Sequence, residues 1–335
     1  MKAVKKHGDV FIVWHPFQQR AQMLSIRLGA SPCWFSYPWE KKSTLAKGVA
    51  YLVKAFATLA LCIKIRPRRI FVQLPPVPLL YTIQLYRWLA SCQVIYDCHN
   101  SLFCSHWIRW PLVRRLLQAK GVVTLTHNED IAVIAEGHGV RSQVLLDPLP
   151  HYAMPENDVA LPAGLRKHGY VIVPFSFSDD EPVEELLAAA RRLPDMTFVI
   201  TWFKDRAQRK TASAIPDNIV FTGFLALDVY QAVFANALCA LALTTREGTQ
   251  PSVATEAIGF GVPLLVSDLN TTRKLYDRWP IYVDNGAQSI AEAIQIVDQS
   301  RDDIVSRMQQ LHARIERMQA RQLAALASAL TLRAD

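Results

Sequence analysis

The sequence lacks an uninterrupted apolar run long enough to predict a transmembrane helix. A membrane-spanning helix takes about 20 predominantly apolar residues, and the nearest segment, residues 45–65, is interrupted by Lys47, Lys54 and Lys64. The first apolar run, residues 10–14, is too short for the core of a signal peptide and is predicted to be a strand. We therefore expect a cytoplasmic protein without a membrane-spanning segment.

Cysteine is scarce, and its spacing is irregular. The 335 residues include six cysteines, and a chain of this length needs no disulfide framework. The densest group of cysteine and histidine, residues 92–106, lacks the two C-x2-C pairs of a zinc site. The metal-binding D-x-D motif of sugar-nucleotide enzymes ends a strand, whereas the acidic residues 179–181 do not. We expect buried thiols and neither a metal nor another cofactor.

Positive charge is in excess and lies mainly in the first 120 residues. The chain carries 37 Lys and Arg against 29 Asp and Glu, a net charge of +8. Basic residues beside Trp on amphipathic helices are typical of surfaces that lie on anionic lipid, which predicts a peripheral protein at the inner face of the cell membrane. A solvated helix face with a few anion contacts is the alternative. No nucleic-acid-binding signature accompanies the charge, so no nucleic-acid partner is expected.

Short apolar strands alternate with helical patterns in both halves of the chain. Strands are predicted near residues 10–14, 33–37, 70–74, 94–97, 122–126, 143–146, 170–173, 197–202, 219–221, 237–243, 263–266 and 281–283. Helices are predicted near residues 18–28, over the basic segment 45–65, and near 79–90, 108–119, 129–136, 182–192 and 227–235, after Pro251, and from residue 287 onward. This alternation predicts an α/β protein with parallel, doubly wound sheets.

A proline-rich stretch divides the two halves. Four prolines fall between Pro148 and Pro162 and break every hydrophobic period. The length of the chain suits two domains of roughly 150 residues each. We predict a first domain over residues 1–150, a linker over 151–165, a second domain over 166–315, and a terminal helix over 316–335 that caps the second domain or crosses back to the first.

Residues 237–268 have the layout of a strand, a ligand-binding loop, a helix and a second strand. Backbone N–H groups at the start of the helix lack intrahelical partners, and the helix dipole favours an anion there. Glu247 precedes the loop, and Glu256 lies about one turn inside the helix. Carboxylates accept hydrogen bonds from sugar hydroxyls, so a nucleotide sugar suits this segment. Ordinary helix-start carboxylates are the alternative. The predicted donor-binding residues are Lys204, Arg206, Gly248, Thr249, Gln250, Pro251, Ser252, Val253 and Glu256.

A second candidate site lies in the first half of the chain. Asp97 and His99 end a predicted strand two residues apart, so both side chains can face the same side. One of them can act as a general base on an acceptor hydroxyl; a strand-capping aspartate beside a satisfied histidine is the alternative. Strand ends of a parallel sheet converge at one crevice. The predicted acceptor or cleft residues there are Gln18, Arg20, Pro75 and Asn100.

Several segments resemble known glycosyltransferases. Residues 247–263 resemble the E-G-x-P-x-x-x-x-E-A and G-x-P signature of retaining GT-B enzymes, although Gln250 lengthens the spacing between the two glutamates by one residue. Residues 69–78, 94–103 and 174–187 are similar to segments of the chitobiosyldiphosphodolichol β-mannosyltransferase and its bacterial relatives.

The resemblance implies the GT-B fold, two Rossmann-like domains facing a cleft. It implies that Glu247 contacts the donor sugar, that Ser252 and Val253 hold the diphosphate, and that Glu256 binds the ribose. It also favours His99 as a sugar or catalytic contact, and Asp97 as a base or as a residue that supports the catalytic groups. The Arg and Lys that normally clamp the diphosphate are missing, because this segment carries Ser176, Ser178, Asp179 and Asp180 instead.

These patterns together predict a metal-independent glycosyltransferase. It would move a sugar from a UDP- or GDP-sugar to a hydroxyl of a lipid-linked or polysaccharide-precursor acceptor at the cytoplasmic membrane face. Two alternatives are a nucleotide-sugar epimerase of similar fold and a catalytically silent, membrane-associated partner of a glycosyltransferase. The absence of the Arg and Lys clamp keeps the silent partner open.

Overall fold

A computed structural model describes residues 6–150 and 159–331. These residues form two six-stranded parallel sheets, each accompanied by helices, which confirms the predicted α/β class. The chain divides into two compact units. The first comprises residues 6–148 and 319–331, and the second comprises residues 149–150 and 159–318. Part of the predicted linker, residues 151–158, lies outside the described residues.

The first unit contains a sheet of strand order β2-β1-β3-β4-β5-β6, in which every pair is parallel. Its strands are β1 (Val10–Val13), β2 (Ser31–Trp34), β3 (Arg69–Leu74), β4 (Gln93–Cys98), β5 (Val122–Thr126) and β6 (Gln143–Val144). Its helices are α1 (Gln19–Leu28), α2 (Thr44–Ile65), α3 (Val77–Leu89), α4 (Asn100–Phe103), α5 (Val113–Leu117) and α6 (Glu129–Gly137), with 3-10 turns at Pro38–Lys41 and His106–Arg109.

Apolar side chains pack on both faces of this sheet, as continuous apolar strands of a parallel sheet require. All four residues of β1 are buried. The single helix predicted over residues 108–119 is wrong. A 3-10 turn and the short helix α5 replace it, because Pro111 lacks the N–H that a continuous helix needs and Leu112 adopts a left-handed conformation with φ 61°.

The second unit contains a parallel sheet of order β12-β11-β10-β7-β8-β9. Its strands are β7 (Tyr170–Val173), β8 (Thr197–Ile200), β9 (Ile219–Phe221), β10 (Cys239–Ala242), β11 (Leu264–Ser267) and β12 (Ile281–Val283). Its helices are α7 (Val183–Arg192), α8 (Lys204–Lys210), α9 (Leu227–Ala235), α10 (Ser252–Phe260), α11 (Asn270–Tyr276) and the first part of α12 (Ala287–Thr331). The short helices α8 and α11 were not predicted, because they are mainly polar.

Helix α12 belongs to both units. Its backbone leaves the helical region at Ser300, with φ −135° and ψ 31°. Residues up to Met318 belong to the second unit, and residues from Gln319 onward belong to the first. There, Leu326 and Leu330 are buried in the core on one face of the first sheet.

Candidate functional site

The first candidate site lies at the carboxyl ends of β3, β4 and β5. Parallel pairing places Gln73 beside Asp97, and Asp97 beside Leu125. His99 follows β4, and His127 follows β5. Because the strands run in the same direction, these side chains gather at one edge of the sheet.

Asp97 lies in the interior as the partner of Arg20. The Arg20 Nε donates to the two Asp97 carboxylate oxygens at 3.1 and 3.0 Å, and its other nitrogens donate to Asp147 at 2.5 Å and to the Leu145 carbonyl at 2.9 Å. Burial alone would raise the pKa of Asp97, but the charge and hydrogen bonds of Arg20 outweigh it and lower the pKa to about 2.

Burial and pairing suit a supporting role for both residues. Asp97 is 1% exposed, and a carboxylate held ionised by a bidentate guanidinium is a weak proton acceptor. The Arg20 charge is balanced by Asp97 and Asp147, so it does not serve as a free cation for a phosphate. The geometry makes Arg20 and Asp97 supports for the strand end.

His99 and His127 lie against each other at this edge. Their ring centroids are 4.2 Å apart in an edge-to-face arrangement, and the His99 Nε2 is 3.8 Å from an Asp97 oxygen. Burial, followed by the neighbouring His127, lowers the pKa of His99 to about 3, and burial with Arg20 lowers that of His127 to about 3. Both rings are therefore neutral near pH 7. Neither Nε2 has a hydrogen-bond partner among the described residues.

His127 was not predicted from the sequence as a site residue. The signal was present, because a Thr-His-Asn sequence ends β5 much as an Asp-Cys-His-Asn sequence ends β4. Only the pairing of β4 with β5 brings the two histidines together.

A cavity of about 790 Å³ opens beside these histidines. Of the predicted residues, Gln18, Pro75 and His99 line it, whereas Arg20 and Asn100 do not. The other lining residues are Val13, Trp14, His15, Glu40, Lys41, Ser43, Thr44, Lys47, Tyr51, Lys54, Gln73, Pro76, Ser101 and Trp107.

In the second unit, Glu247 stabilises the start of α11. Its carboxylate accepts hydrogen bonds from the backbone N–H groups of Asn270 and Thr271 at 3.0 and 3.1 Å, and from both of their side chains. Burial would raise the pKa of Glu247, but these hydrogen bonds outweigh it and lower the pKa. Helix α11 is mainly polar and was not predicted from the sequence, so this capping role is a finding of the structure.

The loop before α10 approaches the same helix. The Gly248 N–H donates to the Thr271 hydroxyl at 2.8 Å, and the positive φ of 75° suits a glycine at this turn. Pro251 is the N-cap residue of α10, and no side chain caps the helix there. Glu256 is 8% exposed and accepts a hydrogen bond from the Tyr230 hydroxyl at 2.7 Å.

Hydrogen bonds around Thr244 hold the chain just ahead of this loop. The Thr244 hydroxyl donates to Asp180 at 2.7 Å, and the Ser267 hydroxyl accepts from the Thr244 N–H at 2.8 Å while donating to Asn285 at 2.6 Å. Asp179 forms an ion pair with Lys210. The acidic residues found in place of the expected Arg and Lys clamp are therefore bound within the unit.

Three cations of the second unit lie on exposed segments. Lys204 and Arg206 are in the first turn of α8, where the Arg206 guanidinium lies 5.5 Å from the ring centre of Trp202. Arg246, which was not predicted, precedes Glu247 and is 3.8 Å from Asp180. It directly precedes Glu247 and the loop before α10, so it is a further candidate for contact with an anion.

Helix α2 is long and apolar enough to cross a membrane by length and composition alone. The core helix of a soluble protein can have the same length and composition, but such a helix is mostly buried. In α2, only 28% of the most apolar stretch of 18 residues is buried. One face packs inward through Ala50, Lys54, Thr58 and Cys62, and Lys54 forms an ion pair with Glu40.

One set of side chains among the described residues brings potential metal ligands together. Ligand atoms of Asp97, His99 and His127 lie within 4.8 Å of one another. The Arg20 guanidinium also contacts both Asp97 oxygens.

The sequence matches no family profile and no curated protein, but the structure is similar to several solved structures. Anabaena HepE, in complex with UDP and glucose, aligns with a TM-score of 0.70 and 13% identity, over 96% of this chain and 100% of HepE. The chain has the GT-B fold. Thermosynechococcus elongatus sucrose-phosphate synthase aligns with a TM-score of 0.69 and 12% identity, over 98% of this chain and 100% of the synthase.

A trehalose-6-phosphate synthase studied with bisubstrate glycomimetics aligns with a TM-score of 0.66 and 9% identity, over 96% of this chain and 99% of that enzyme. These neighbours are glycosyltransferases. The GT-B fold accounts for the two parallel sheets of this chain and for the strand, loop and helix arrangement around α10.

Proposed function

We propose that this protein is a glycosyltransferase that moves a sugar from a UDP- or GDP-sugar to a hydroxyl of a lipid-linked or polysaccharide-precursor acceptor at the cytoplasmic membrane face. The GT-B fold across nearly the whole chain is the observation that carries the proposal, since HepE holds UDP in this fold. The epimerase alternative is not favoured by these neighbours.

The donor diphosphate binds at the start of α10. Pro251 leaves this helix without a side-chain cap, and the N–H groups of Ser252 and Val253 lie in the first turn, where the helix dipole favours an anion. Lys204, Arg206 and Arg246 are the candidate cations for the phosphate charge. Glu256 binds the ribose through the carboxylate that Tyr230 orients, and the loop Gly248–Thr249–Gln250 contacts the donor.

His99 accepts the proton from the acceptor hydroxyl. It lines the cavity, and its ring is neutral near pH 7, so it can take up a proton. As the acceptor oxygen bonds to the anomeric carbon, the bond from that carbon to the diphosphate breaks and the nucleoside diphosphate leaves. The Arg20 and Asp97 pair keeps the strand end in place, and the Asp97 charge favours the protonated imidazole against burial, His127 and Arg20, which lower the pKa of His99. Because Arg20 already holds Asp97, we propose that this step needs no metal.

The outward face of α2 lies in the plane of an anionic membrane. Its exposed apolar residues recur at helical spacing, with Leu45 79%, Leu52 63% and Phe56 74% exposed. Lys54 faces the protein instead, where it pairs with Glu40, so the helix is held against its own unit and lies on the membrane without crossing it. Apolar burial and basic side chains contribute together to such binding.

Titration calorimetry with UDP and GDP tests the donor site. The wild-type protein should bind one of the two nucleotides, and Glu256→Ala should weaken that binding by about tenfold or more, because it removes a buried carboxylate contact. Glu184→Ala, which removes an exposed carboxylate of α7, is the matched control and should bind as the wild type does. If the wild-type protein binds neither nucleotide, the result contradicts the proposed donor site and fits a catalytically silent partner of a glycosyltransferase.

A further inference from the structure

Two histidines at the ends of β4 and β5 each have a buried ring nitrogen without a partner. His127 is 8% exposed, and His99 lies edge to face against it. The Nε2 atom of each ring is buried and has no hydrogen-bond partner among the described residues. A buried polar atom that is left unsatisfied costs free energy. A single cation that accepts a lone pair from each ring would satisfy both atoms at once.

Asp97 offers a third ligand beside the two rings. Its Oδ2 atom lies 3.8 Å from the His99 Nε2 atom, and potential ligand atoms of Asp97, His99 and His127 all lie within 4.8 Å of one another. Zinc binds imidazole nitrogen and carboxylate oxygen at about 2.0–2.2 Å, so two ligands of a tetrahedral ion are about 3.3 Å apart. A closure of about 0.5 Å therefore brings Asp97 and His99 to the spacing of such a site.

The pairing of Asp97 with Arg20 leaves room for a cation. The Asp97 Oδ1 atom accepts two hydrogen bonds from the guanidinium, at 3.1 and 2.7 Å, whereas Oδ2 accepts one, at 3.0 Å. A carboxylate oxygen has two lone pairs, so Oδ2 retains one on the side of His99. Arg20 also pairs with Asp147. Two carboxylates and one guanidinium leave one net negative charge beside the histidines, and this charge attracts a cation.

His127 also lies beside the kind of group that orients a metal-binding histidine. Its Nδ1 atom is 3.9 Å from an Asp147 oxygen, and histidines that bind a metal usually donate their second N–H to a carboxylate or a carbonyl. Imidazole suits zinc and similar transition metals, whereas Mg²⁺ prefers oxygen ligands. We propose that His99, His127 and Asp97 form a binding site for a divalent transition-metal ion, of which Zn²⁺ is the best match.

A metal ion in this site inhibits the proposed reaction. His99 lines the cavity and its side chain is 23% exposed, so an ion from solvent reaches the site past this ring. A neutral imidazole has one basic nitrogen, and an ion bound to it leaves His99 without a lone pair for the proton of the acceptor hydroxyl. The inhibition rests on the proposed function, whereas the metal site rests on the three side chains themselves.

The test is titration calorimetry of the full chain with zinc chloride in a buffer that does not bind metals. The wild-type protein should bind a single Zn²⁺ ion, and an excess of Mg²⁺ should not displace it. His127→Gln should bind Zn²⁺ about tenfold or more weakly, because the loss of even an outer contact of a metal ligand costs about 10–100-fold in affinity. His106→Gln, which removes an exposed histidine of the same unit, is the matched control and should bind as the wild type does.

Co²⁺ is the second probe, because its visible absorption reports the number and the type of its ligands. The wild-type protein should give the bands of a four-coordinate ion without the absorption of thiolate ligands, and His127→Gln should lose these bands. Circular dichroism establishes that this variant is folded, and His99→Gln provides the same comparison through the second histidine.

The metal site and the proposed function fail in different ways. If the wild type binds no Zn²⁺, or if both histidine variants bind it as tightly as the wild type, the metal site is overturned. Thiolate absorption with Co²⁺ would place the ion at a cysteine and would also overturn it. A protein that binds Zn²⁺ through these histidines but binds neither UDP nor GDP would retain the metal site and contradict the proposed glycosyl transfer.

Discussion

His127 is a neutral histidine enclosed at the end of β5. It touches His99, and burial is the main cause of the low pKa of each ring. An enclosed imidazole that stays neutral lowers the free energy of unfolding at any pH where the same ring is protonated in the unfolded chain. The stability of the protein should therefore report directly on these two side chains.

We expect the free energy of unfolding to decrease as the pH falls from about 6.5 toward 3, because His127 is protonated in the unfolded chain below 6.5 but in the folded protein only near 3. His99 has the same sign, and the lowered pKa of Asp97 adds a further loss below 3.8. One group contributes at most about 1.4 kcal/mol per pH unit. Urea denaturation across this range should give a shallower pH dependence for His127→Gln. A slope equal to that of the wild type would contradict the enclosed neutral ring.

The outward face of α2 is the element on which the membrane proposal depends. Phe56 is 74% exposed on it, and Phe56→Glu would place a negative charge where the proposal places lipid. Binding to vesicles that contain phosphatidylserine should weaken by about tenfold or more, because insertion of one aromatic side chain contributes about 1.5 kcal/mol or more. Co-sedimentation with the vesicles measures the loss.

The matched control for the vesicle experiment is Val133→Glu. Val133 lies on α6 of the same unit and is 68% exposed, so the substitution introduces the same charge on another helix. It should bind vesicles nearly as the wild type does. Equal losses for the two variants would indicate a general charge effect and would remove α2 from the proposal.

Helix α10 tolerates no side chain at Gly259. A Cβ there would lie 2.8 Å from the Pro150 carbonyl oxygen and 2.9 Å from the Pro150 Cγ. We expect Gly259→Ala to destabilise the protein by about 1–3 kcal/mol through overpacking, measured by chemical denaturation. Gly48→Ala on α2 is the control, since nothing lies within 4 Å of its Cβ position, and it should stabilise by up to about 1 kcal/mol through helix propensity. A stabilised Gly259→Ala protein would disprove the close contact.

At the scale of the whole molecule, the last turns of the chain complete the first unit. Gln319 is fully buried and donates to the Leu146 carbonyl at 3.0 Å, and the Leu330 carbonyl accepts from Gln93 at 2.6 Å. Leu326 is 1% exposed within the same core. The first unit therefore depends on residues that lie more than a hundred positions away in the sequence.

Deletion of residues 319–335 should destabilise the first unit and leave the second largely intact. Hydrogen exchange should show lost protection in β1, β4 and β5, while β7 and β10 keep theirs, because separate units can unfold separately. Leu326→Ala should also destabilise the first unit, but less, by about 2–5 kcal/mol in the free energy of unfolding. Loss of protection confined to the second unit would show that the tail belongs there.

The α/β class and most of the elements follow from local sequence patterns. Strands at residues 122–126, 170–173, 219–221 and 281–283 and the helix at 227–235 were predicted at the bounds that the structure has. The segment around α10 was also recognisable as a strand, loop and helix. These features depend on hydrophobic periods and on proline and glycine, which act over a few residues.

The roles of the polar side chains depend on contacts that form only in the folded protein. Arg20 and Asp97 are 77 residues apart in the sequence and neutralise each other, Glu247 caps a helix that begins 23 residues later, and His127 meets His99 only because β4 pairs with β5. The last turns of α12 join the first unit in the same way. Contacts between residues far apart in the sequence decide which charges are balanced, and no local hydrophobic period encodes those contacts.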